Sequence, residues 1–393
     1  MRNDQRIFNK DFVLLFIVNF VSHAGLQMFA SIMSKYASSL GFPDALLGLV
    51  VSAYAFMIFA TSLFSGSFID RANKKGLLLF AMFAQPLAVL GYAFLASNMF
   101  VLILLRLFHG FCAGLISIVT MAMVAFVLPI KKMGLGMGIY GLGQTIAMAV
   151  GPSVGITLVE RIGFRDMFLI SFVVVALAAL LSLFVVPVPT VKTARKKFSF
   201  RDLILVDTVP ISLLGFLNNT AYASLTAYIV LHADQQGISN ISLFYTVYAI
   251  VLLASRPLIG RISDRMPLKT IIYPSSLLIL VAMLLCAYAA NLWMLLLAAV
   301  LMAIGIGGSQ PAIQATSIRE APPEKRGAAS ATFMMGQSLG FIVGPMGGGY
   351  IASKIGFNNM YAVMSGTAVL CILLMSLIEI RRRRTAASLD TTA

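Results

Sequence analysis

The sequence predicts an all-α membrane protein in which twelve transmembrane helices form two pseudo-symmetric six-helix bundles. Hydrophobic residues make up 60% of the 393 positions and charged residues 11%, whereas soluble domains contain about 45–50% and about 25%. The apolar residues lie in stretches of about twenty or more, the length of helix that crosses a ~30 Å hydrocarbon layer. The second half of the chain also repeats motifs of the first half.

The apolar stretches define twelve candidate spans. The first is too long for the apolar core of a cleaved signal peptide, so we expect it to remain as a helix. The spans, with approximate ends, are 11–35, 44–68, 76–97, 99–128, 133–159, 166–187, 208–232, 241–263, 269–290, 292–318, 326–353 and 357–380.

The positive charge is distributed unevenly between the two faces of the predicted bundle. If the amino terminus is cytoplasmic, most of the 29 Lys and Arg lie on the inner side, and only Lys35, Arg161, Arg165 and Lys354 lie outside. Lys and Arg are enriched in short cytoplasmic loops. We therefore expect a multi-pass protein of the cell (inner or plasma) membrane with both termini in the cytoplasm. Its basic clusters are expected to set orientation and contact the lipid bilayer, and not to bind nucleic acid.

The chain repeats itself at an offset of 193 residues. The following residues each recur 193 positions later: Pro129, Lys132, Gly134, Gly143, Gln144, Gly151, Pro152 and Gly155. We therefore predict an N-terminal bundle (1–188), a cytoplasmic linker (189–207), a C-terminal bundle (208–380) and a cytoplasmic basic tail (381–393). Two parallel repeats are a known architecture of transporters with a central path, and the alternative is a duplicated scaffold without transport.

An aspartate surrounded by basic residues lies just after the second span, and another lies just after the eighth. Glycine allows close helix approach, and Asn73 in the first of these loops is a residue that tolerates the left-handed backbone such a turn often needs. The Asp could bind the free N–H groups of a neighbouring helix N-terminus in one conformation and release them in the other. The predicted conformational-switch residues are Gly66, Asp70, Arg71, Lys75, Gly260, Asp264 and Arg265.

Small residues four positions apart occur in the fifth and eleventh spans, next to a proline. Such residues let helix backbones touch inside a membrane, and proline adds a bend. The predicted helix-packing residues are Gly151, Pro152, Gly155, Gly344, Pro345 and Gly348.

These motifs, with Arg106, His109 and Gly110 of the fourth span, resemble those of the major facilitator superfamily over nearly the whole chain. The loop motif is similar to the family's signature, and the glycine–proline motif is similar to that of its twelve-helix drug and metabolite exporters. The resemblance implies the major facilitator fold, a rocker-switch cycle and proton coupling. Asn73 stands where the family pattern has glycine.

Polar side chains inside the spans are candidate substrate-binding or coupling residues, because they are costly in lipid. Asn19, His23 and Gln27 lie four apart and form one stripe on the first span. Arg106 and His109 of the fourth span lie at similar depth, and we expect them to reach toward this stripe. Arg106 either braces helices or takes a direct part in coupling or substrate contact. The other candidates are Gln144, Asn218, Asn219, Tyr245, Tyr248, Gln310, Gln314 and Gln337.

All 14 acidic residues lie in loops or within about two turns of a predicted helix end. A neutral or anionic cargo is therefore expected in preference to a cationic one. A proton would be carried by His23 or His109, because imidazole titrates nearest to physiological pH. The sequence contains no pattern of metal ligands or paired interior acids, so we expect no catalytic residues, no metal, no cofactor and no enzymatic activity.

The predicted function is secondary active transport of a small amphipathic metabolite or drug by alternating access, as proton-coupled efflux. An organic-anion exchanger or uniporter that uses the interior Arg and His residues is the alternative, and a membrane-embedded enzyme or sensor is a remote one. The expected partners are a small-molecule substrate, protons and the lipid bilayer, and the expected oligomeric state is a monomer.

Overall fold

The computed structural model describes residues 7–69, 72–129, 132–187, 204–322 and 325–390. Within these ranges the chain forms α-helices and no strand, which confirms the predicted all-α class. The helices are α1 (Lys10–Ala30), α2 (Met33–Ser39), α3 (Asp44–Ile69), α4 (Lys74–Phe94), α5 (Met99–Val127), α6 (Met133–Ser182), α7 (Val209–Gln235), α8 (Ser242–Arg265), α9 (Leu268–Ala287), α10 (Leu292–Arg319), α11 (Arg326–Met364) and α12 (Gly366–Asp390).

The helices do not correspond one to one with the predicted spans. The first span is broken into α1 and α2, while α6 contains the fifth and sixth spans joined across a kink. Of the described residues, eight helical stretches are long and apolar enough to cross a membrane, and the two longest, 135–182 and 326–382, are each long enough for two spans. The helices are thus consistent with the twelve predicted spans.

Contacts between residues divide the chain into two compact units. The first unit comprises Met1–Phe42 and Leu49–Lys197, and the second comprises Pro43–Gly48 and Phe198–Ala393. The short segment 43–48 belongs to the second unit, because Gly48 at the start of α3 lies against the carbonyl of Pro345. The predicted division into two bundles, a linker and a tail stays a prediction.

Both units contain a helix pair whose backbones touch at the glycine–proline motif. In the first unit α6 packs against α1, and a Cβ at Gly155 would overlap the carbonyl of Met28. In the second unit α11 packs against α7, and a Cβ at Gly344 would lie 2.5 Å from the carbonyl oxygen of Thr220. The small residues therefore allow a backbone approach that any side chain would obstruct.

The helix caps repeat as well. The side chain of Asn98 accepts a hydrogen bond from the Val101 N–H at the start of α5. Asn291, 193 positions later, does the same at the start of α10 with Met294. An N-cap residue sets the point at which a helix begins, so the repeated motifs produce the same local structure in both units.

The kinks in α6 and α11 lie at glycines that are also 193 residues apart. Gly163 and Gly356 both have φ of 82°, a backbone conformation that side-chain-bearing residues rarely adopt. Neither would meet a neighbouring atom if it carried a Cβ. The glycine requirement at these positions is therefore one of backbone conformation and not of space.

We expect Gly163→Ala and Gly356→Ala each to lower the unfolding free energy by about 1–2 kcal/mol, the cost of a left-handed backbone for an L-residue. Thermal unfolding of the purified protein in detergent measures the effect. Gly138→Ala is the control, because Gly138 also has open space around it but no positive φ. Equal melting temperatures for all three variants would contradict this account of the kinks.

Candidate functional site

The predicted switch residues are only partly within the described chain. Asp70 and Arg71 lie outside the described residues, and α8 contains Gly260, Asp264 and Arg265 in a segment whose side chains are not described. Gly66 lies in the last turns of α3. Lys75 donates a hydrogen bond to the carbonyl of Leu183 at the end of α6 (3.1 Å). The proposed switching contact of Asp70 therefore stays a prediction.

Asn73 does not use the left-handed backbone that its residue type tolerates. Its φ is −65° and its side chain accepts a hydrogen bond from the Gly76 N–H (3.1 Å), so it is the N-cap of α4. Asn is among the strongest N-cap residues because its side-chain oxygen satisfies a free N–H of the first turn. This is the physical reason why Asn serves here where the family pattern has glycine.

The polar stripe of α1 is divided between buried and half-buried positions. Asn19 is fully buried (0% exposed), and neither its amide nitrogen nor its oxygen has a hydrogen-bond partner among the described residues. His23 is half-buried, with Nδ1 3.0 Å from the carbonyl oxygen of Asn19. Gln27 is half-buried beside Gly151 of α6. The stripe thus lies along the contact between α1 and its neighbours.

Arg106 reaches toward α3 instead of the α1 stripe. It is 3% exposed, its Nε donates to the carbonyl of Val50 (3.0 Å), and its Nη2 donates to that of Val51 (3.3 Å). The guanidinium also lies over the ring of Tyr54, 4.6 Å from its centroid. These contacts are those of a helix brace, since charged hydrogen bonds and a cation–π contact join α5 to α3.

His109 lies in an aromatic cluster one turn further along α5. Its Nδ1 lies 3.0 Å from the hydroxyl of Tyr92, and its ring is 5.0 Å from Tyr54 and 5.6 Å from Phe29 of α1. The other ring nitrogen, Nε2, has no partner within the described chain. His109 therefore contacts α1 through an aromatic ring and not through the polar stripe.

Gln85 is a first-unit polar residue that the sequence reasoning missed. It is fully buried in α4, and its Oε1 accepts a hydrogen bond from Ser22 of α1 (3.2 Å). Its Nε2 has no partner among the residues described. The signal was present, because Gln85 is a polar residue in the middle of the third span, where polar groups are costly.

In the second unit, α7 and α10 bring three predicted amides together. Gln310 Nε2 donates to Asn219 Oδ1 (2.8 Å), and Asn219 Nδ2 donates to the carbonyl of Gly215 (2.9 Å). Asn218 is 1% exposed, and both polar atoms of its side chain are without a partner in the described part of the chain. A buried polar group left in this state costs about 1–3 kcal/mol, so Asn218 is suited to pair with a ligand.

An aromatic group lies next to these amides. Tyr222 is four residues beyond Asn218 on the same face of α7, and its ring stacks on Tyr248 at 5.6 Å with 25° between the planes. Phe341 of α11 meets Tyr222 edge-on at 6.1 Å. Tyr245 instead donates its hydroxyl to the carbonyl of Thr226 (3.1 Å). Tyr222 was not predicted, although its spacing from Asn218 could have indicated it.

Of the remaining predicted glutamines, one lies in the first unit and two lie in the second. Gln144 is half-buried in α6, and its repeat partner Gln337 is half-buried in α11, 3.9 Å from where a Gly215 Cβ would lie. Gln314 is exposed on α10, one turn beyond Gln310. The structure therefore places the amide–aromatic cluster of the second unit at Asn218, Asn219, Tyr222, Tyr248, Gln310 and Phe341.

Comparison with known families decides the identity of this architecture. The family model described as Major Facilitator Superfamily matches residues 15–273 and 211–392, which cover each half of the chain. The chain belongs to the Major Facilitator Superfamily. Its members are transporters, so this multi-pass membrane protein is a transporter of that superfamily and not an enzyme.

Relatives within the superfamily match over most of their length. The chain is 23% identical over 363 residues to an uncharacterized MFS-type transporter of Methanocaldococcus jannaschii, covering 90% of this chain and 94% of the relative. It is 24% identical over 385 residues to the multi-drug resistance efflux pump PmrA of Streptococcus pneumoniae, covering 93% and 94%. The crystal structure of a POT family transporter in complex with 5-aminolevulinic acid matches with a TM-score of 0.80 at 14% identity, over 94% of this chain and 96% of that chain. At this identity the structural match supports the fold alone.

Proposed function

We propose that the protein is a secondary active exporter that carries small amphipathic, neutral or anionic compounds out of the cell in exchange for protons. Its two bundles would expose the substrate path to each side of the membrane in turn. The similarity to a multi-drug resistance efflux pump over 93% of the chain supports export. The charge distribution supports a cell-membrane protein with both termini in the cytoplasm, because Lys and Arg concentrate in cytoplasmic loops. The proposed oligomeric state is a monomer.

The unpartnered amide of Asn218 is the observation that carries the proposal. Both of its polar atoms are buried without a hydrogen-bond partner among the described residues, beside the stacked pair Tyr222 and Tyr248. An amide presents a donor and an acceptor, and aromatic rings present apolar faces. This combination suits a compound with a flat apolar body and one polar edge. Sites of this kind, mostly apolar with a few placed polar groups, are typical for small molecules.

The charge of the cargo follows from the ionisable groups inside the spans. The sequence places no Asp or Glu in the middle of a span, so a cationic cargo would have no buried counter-ion. The organic-anion exchanger gains no support from Arg106, because its Nε and Nη2 are bonded to backbone carbonyls. Neutral compounds are therefore the first candidates and anions the second.

Transport by purified protein in liposomes tests the proposal. Three probes of similar size differ in charge: chloramphenicol is neutral, carboxyfluorescein is anionic and ethidium is cationic. We expect an imposed proton gradient to drive movement of chloramphenicol or carboxyfluorescein and not of ethidium. Transport that does not depend on the proton gradient would refute the proposed proton coupling. Transport that favours ethidium would refute the proposed charge of the cargo.

We expect Asn218→Ala to raise the half-saturating concentration of the transported probe by about two- to tenfold. The reason is that one net hydrogen bond contributes about 0.5–1.5 kcal/mol, and each 1.4 kcal/mol is tenfold in affinity. Asn359→Ala is the matched control, because Asn359 is an exposed amide of the same unit that bonds only within its own helix. Equal concentrations for both variants would exclude Asn218 from the substrate site.

A further inference from the structure

A pair of aromatic clusters occurs at equivalent places in the two units. In the first unit, Tyr36 packs against Phe164 at 5.2 Å and Phe168 at 4.9 Å, and its hydroxyl donates to the carbonyl of Tyr92 (2.6 Å). The ring thereby joins α2 to both α4 and α6. Phe164 and Phe168 directly follow the kink at Gly163.

In the second unit the same place is occupied by His232. Its ring lies 6.5 Å from Phe357 and 5.1 Å from Tyr361, the residues 193 positions after Phe164 and Phe168. Its Nε2 lies 3.0 Å from the carbonyl oxygen of Cys286, which corresponds to Tyr92 at an offset of 194. A carbonyl only accepts, so Nε2 carries a proton and donates it.

The two clusters differ in two polar atoms. In the first unit the hydroxyl of Tyr36 is bonded and Phe168 has no polar atom. In the second, His232 Nδ1 and the Tyr361 hydroxyl are both buried with no hydrogen-bond partner in the chain as described. In the first unit, the hydrogen bond to the Tyr92 carbonyl forms without a second ring nitrogen and without a hydroxyl at position 168. A structural role alone does not explain why the second unit carries them.

We propose that His232 and Tyr361 form a proton-binding pair, a second coupling site of the exporter. This inference rests on the proton coupling in the proposed function. When the pair meets water during the transport cycle, Nδ1 uses its lone pair to take one proton, and His232 becomes an imidazolium. No other bond changes. A tyrosine hydroxyl donates to a neutral ring nitrogen, and its oxygen accepts from a protonated one. Tyr361 lies unpaired against the His232 ring in this structure, so it is suited to pair with either form of His232 once the two polar atoms come within hydrogen-bond distance.

The surroundings suit a residue that changes its charge. His232 contacts Tyr361 of α11 and the carbonyl of Cys286 of α9, and the titratable groups that act on Tyr361 are Cys286, Tyr245 of α8 and Tyr228 of α7. All four are neutral in their ordinary state. Asp234 on α7 is exposed, and the described ionic groups of α10 and α12 lie toward the other ends of those helices. Asp44 of α3 acts electrostatically on Tyr228, and the side chains in ring contact with His232 itself, Phe357 and Tyr361, are neutral.

The pair is separate from the amide–aromatic cluster. His232 lies ten residues beyond Tyr222 on α7, which corresponds to ~15 Å along a helix. It also lies toward the end of α7 that the charge distribution predicts to face outside. A proton from the outer solution would therefore reach His232 without passing the substrate cluster.

Nitrogen-15 NMR of the full-length protein labelled at histidine tests proton binding without any substrate. The chain has three histidines, and the His232→Gln variant assigns one signal by its loss. Gln keeps an N–H that can donate to the Cys286 carbonyl but cannot titrate in this range. We expect the His232 signal to titrate between about pH 5 and 8, and Tyr361→Phe, which copies Phe168 of the first unit, to displace its midpoint. A His232 signal that stays in one neutral form at every pH at which the protein is folded would overturn the proposal.

Transport in liposomes separates this inference from the function it rests on. With the probe that the wild type moves, we expect His232→Gln to lose proton-driven accumulation and to keep exchange of labelled for unlabelled probe in the absence of a gradient. Full proton-driven accumulation by His232→Gln would also overturn the proposal. If the wild type itself shows no proton-driven transport, the proposed function fails, and the NMR titration still decides whether His232 binds a proton.

Discussion

Gly155→Ala is expected to destabilise the first unit more than any other single methyl group added to its helices. A Cβ at Gly155 would coincide with the carbonyl of Met28 on α1, a backbone group that cannot rotate away. α1 and α6 would have to separate along their contact, which also includes Gly151 and Gln27. Overpacking of a close-packed interior costs about 1–3 kcal/mol and sometimes more. We expect a cost of about 3 kcal/mol or more, measured as a lower melting temperature in detergent.

Gly141→Ala provides the control on the same helix. No heavy atom lies within 4 Å of a Cβ built at Gly141, and its backbone is helical. Alanine is favoured over glycine in a helix interior by about 1 kcal/mol, so this variant should melt at the wild-type temperature or higher. Gly344→Ala tests the corresponding helix pair of the second unit, where a Cβ would meet the carbonyl of Thr220. If Gly155→Ala and Gly141→Ala melt alike, the glycines do not hold the helices together.

The features that sequence reasoning predicted well are those that depend on backbone geometry. The 193-residue repeat indicated equivalent helix contacts, and the structure has them where Gly151 meets Gln27 and where Gly344 meets Thr220, each residue 193 positions after its counterpart. The kinks at Gly163 and Gly356 were not predicted, although these two glycines are also 193 residues apart. A glycine acts either because it lacks a side chain or because it can adopt a positive φ. Both properties belong to the residue type, so they can be predicted wherever glycine occurs.

The features that it missed depend on which helix a long side chain meets. Depth along the first and fourth spans suggested that Arg106 faces the α1 stripe, but depth does not specify the rotation of a helix about its axis. The guanidinium meets α3 instead. His232 was overlooked because the predicted span ended at that residue, whereas α7 continues to Gln235. An error of three residues in a helix end was enough to hide a buried histidine.

Asn73 illustrates a different limit. The residue type allows both a left-handed turn and an N-cap, and the sequence alone offered no way to choose between them. The structure selects the cap, in which the Asn73 side chain bonds to Gly76. Local motifs with two physical solutions are therefore resolved only when the start of the following helix is known.

Arg106→Lys is expected to weaken the attachment of α5 to α3 strongly. The guanidinium makes two charge-assisted hydrogen bonds and one ring contact, and a lysine ammonium cannot reproduce that planar arrangement. Each hydrogen bond to a charged group contributes about 1.5–3 kcal/mol, so we expect a loss of about 3 kcal/mol in unfolding free energy. Arg319→Lys is the control, because Arg319 is exposed and has only a weak 3.5 Å contact to Thr316 within its own helix.

The same variant separates the two roles considered for Arg106, because each role predicts a different combination of measurements. As a brace, Arg106 acts through the position of α3, so Arg106→Lys should lower the melting temperature and the transport rate together and leave the pH dependence of transport unchanged. As a coupling residue it would act through a guanidinium that stays protonated at every working pH, whereas a buried lysine can lose its proton. Lysine would then preserve stability and displace the pH profile. We expect the first combination, since its Nε and Nη2 are bonded to the α3 backbone. The second combination would mean that the contacts to Val50 and Val51 are broken in the state that transports.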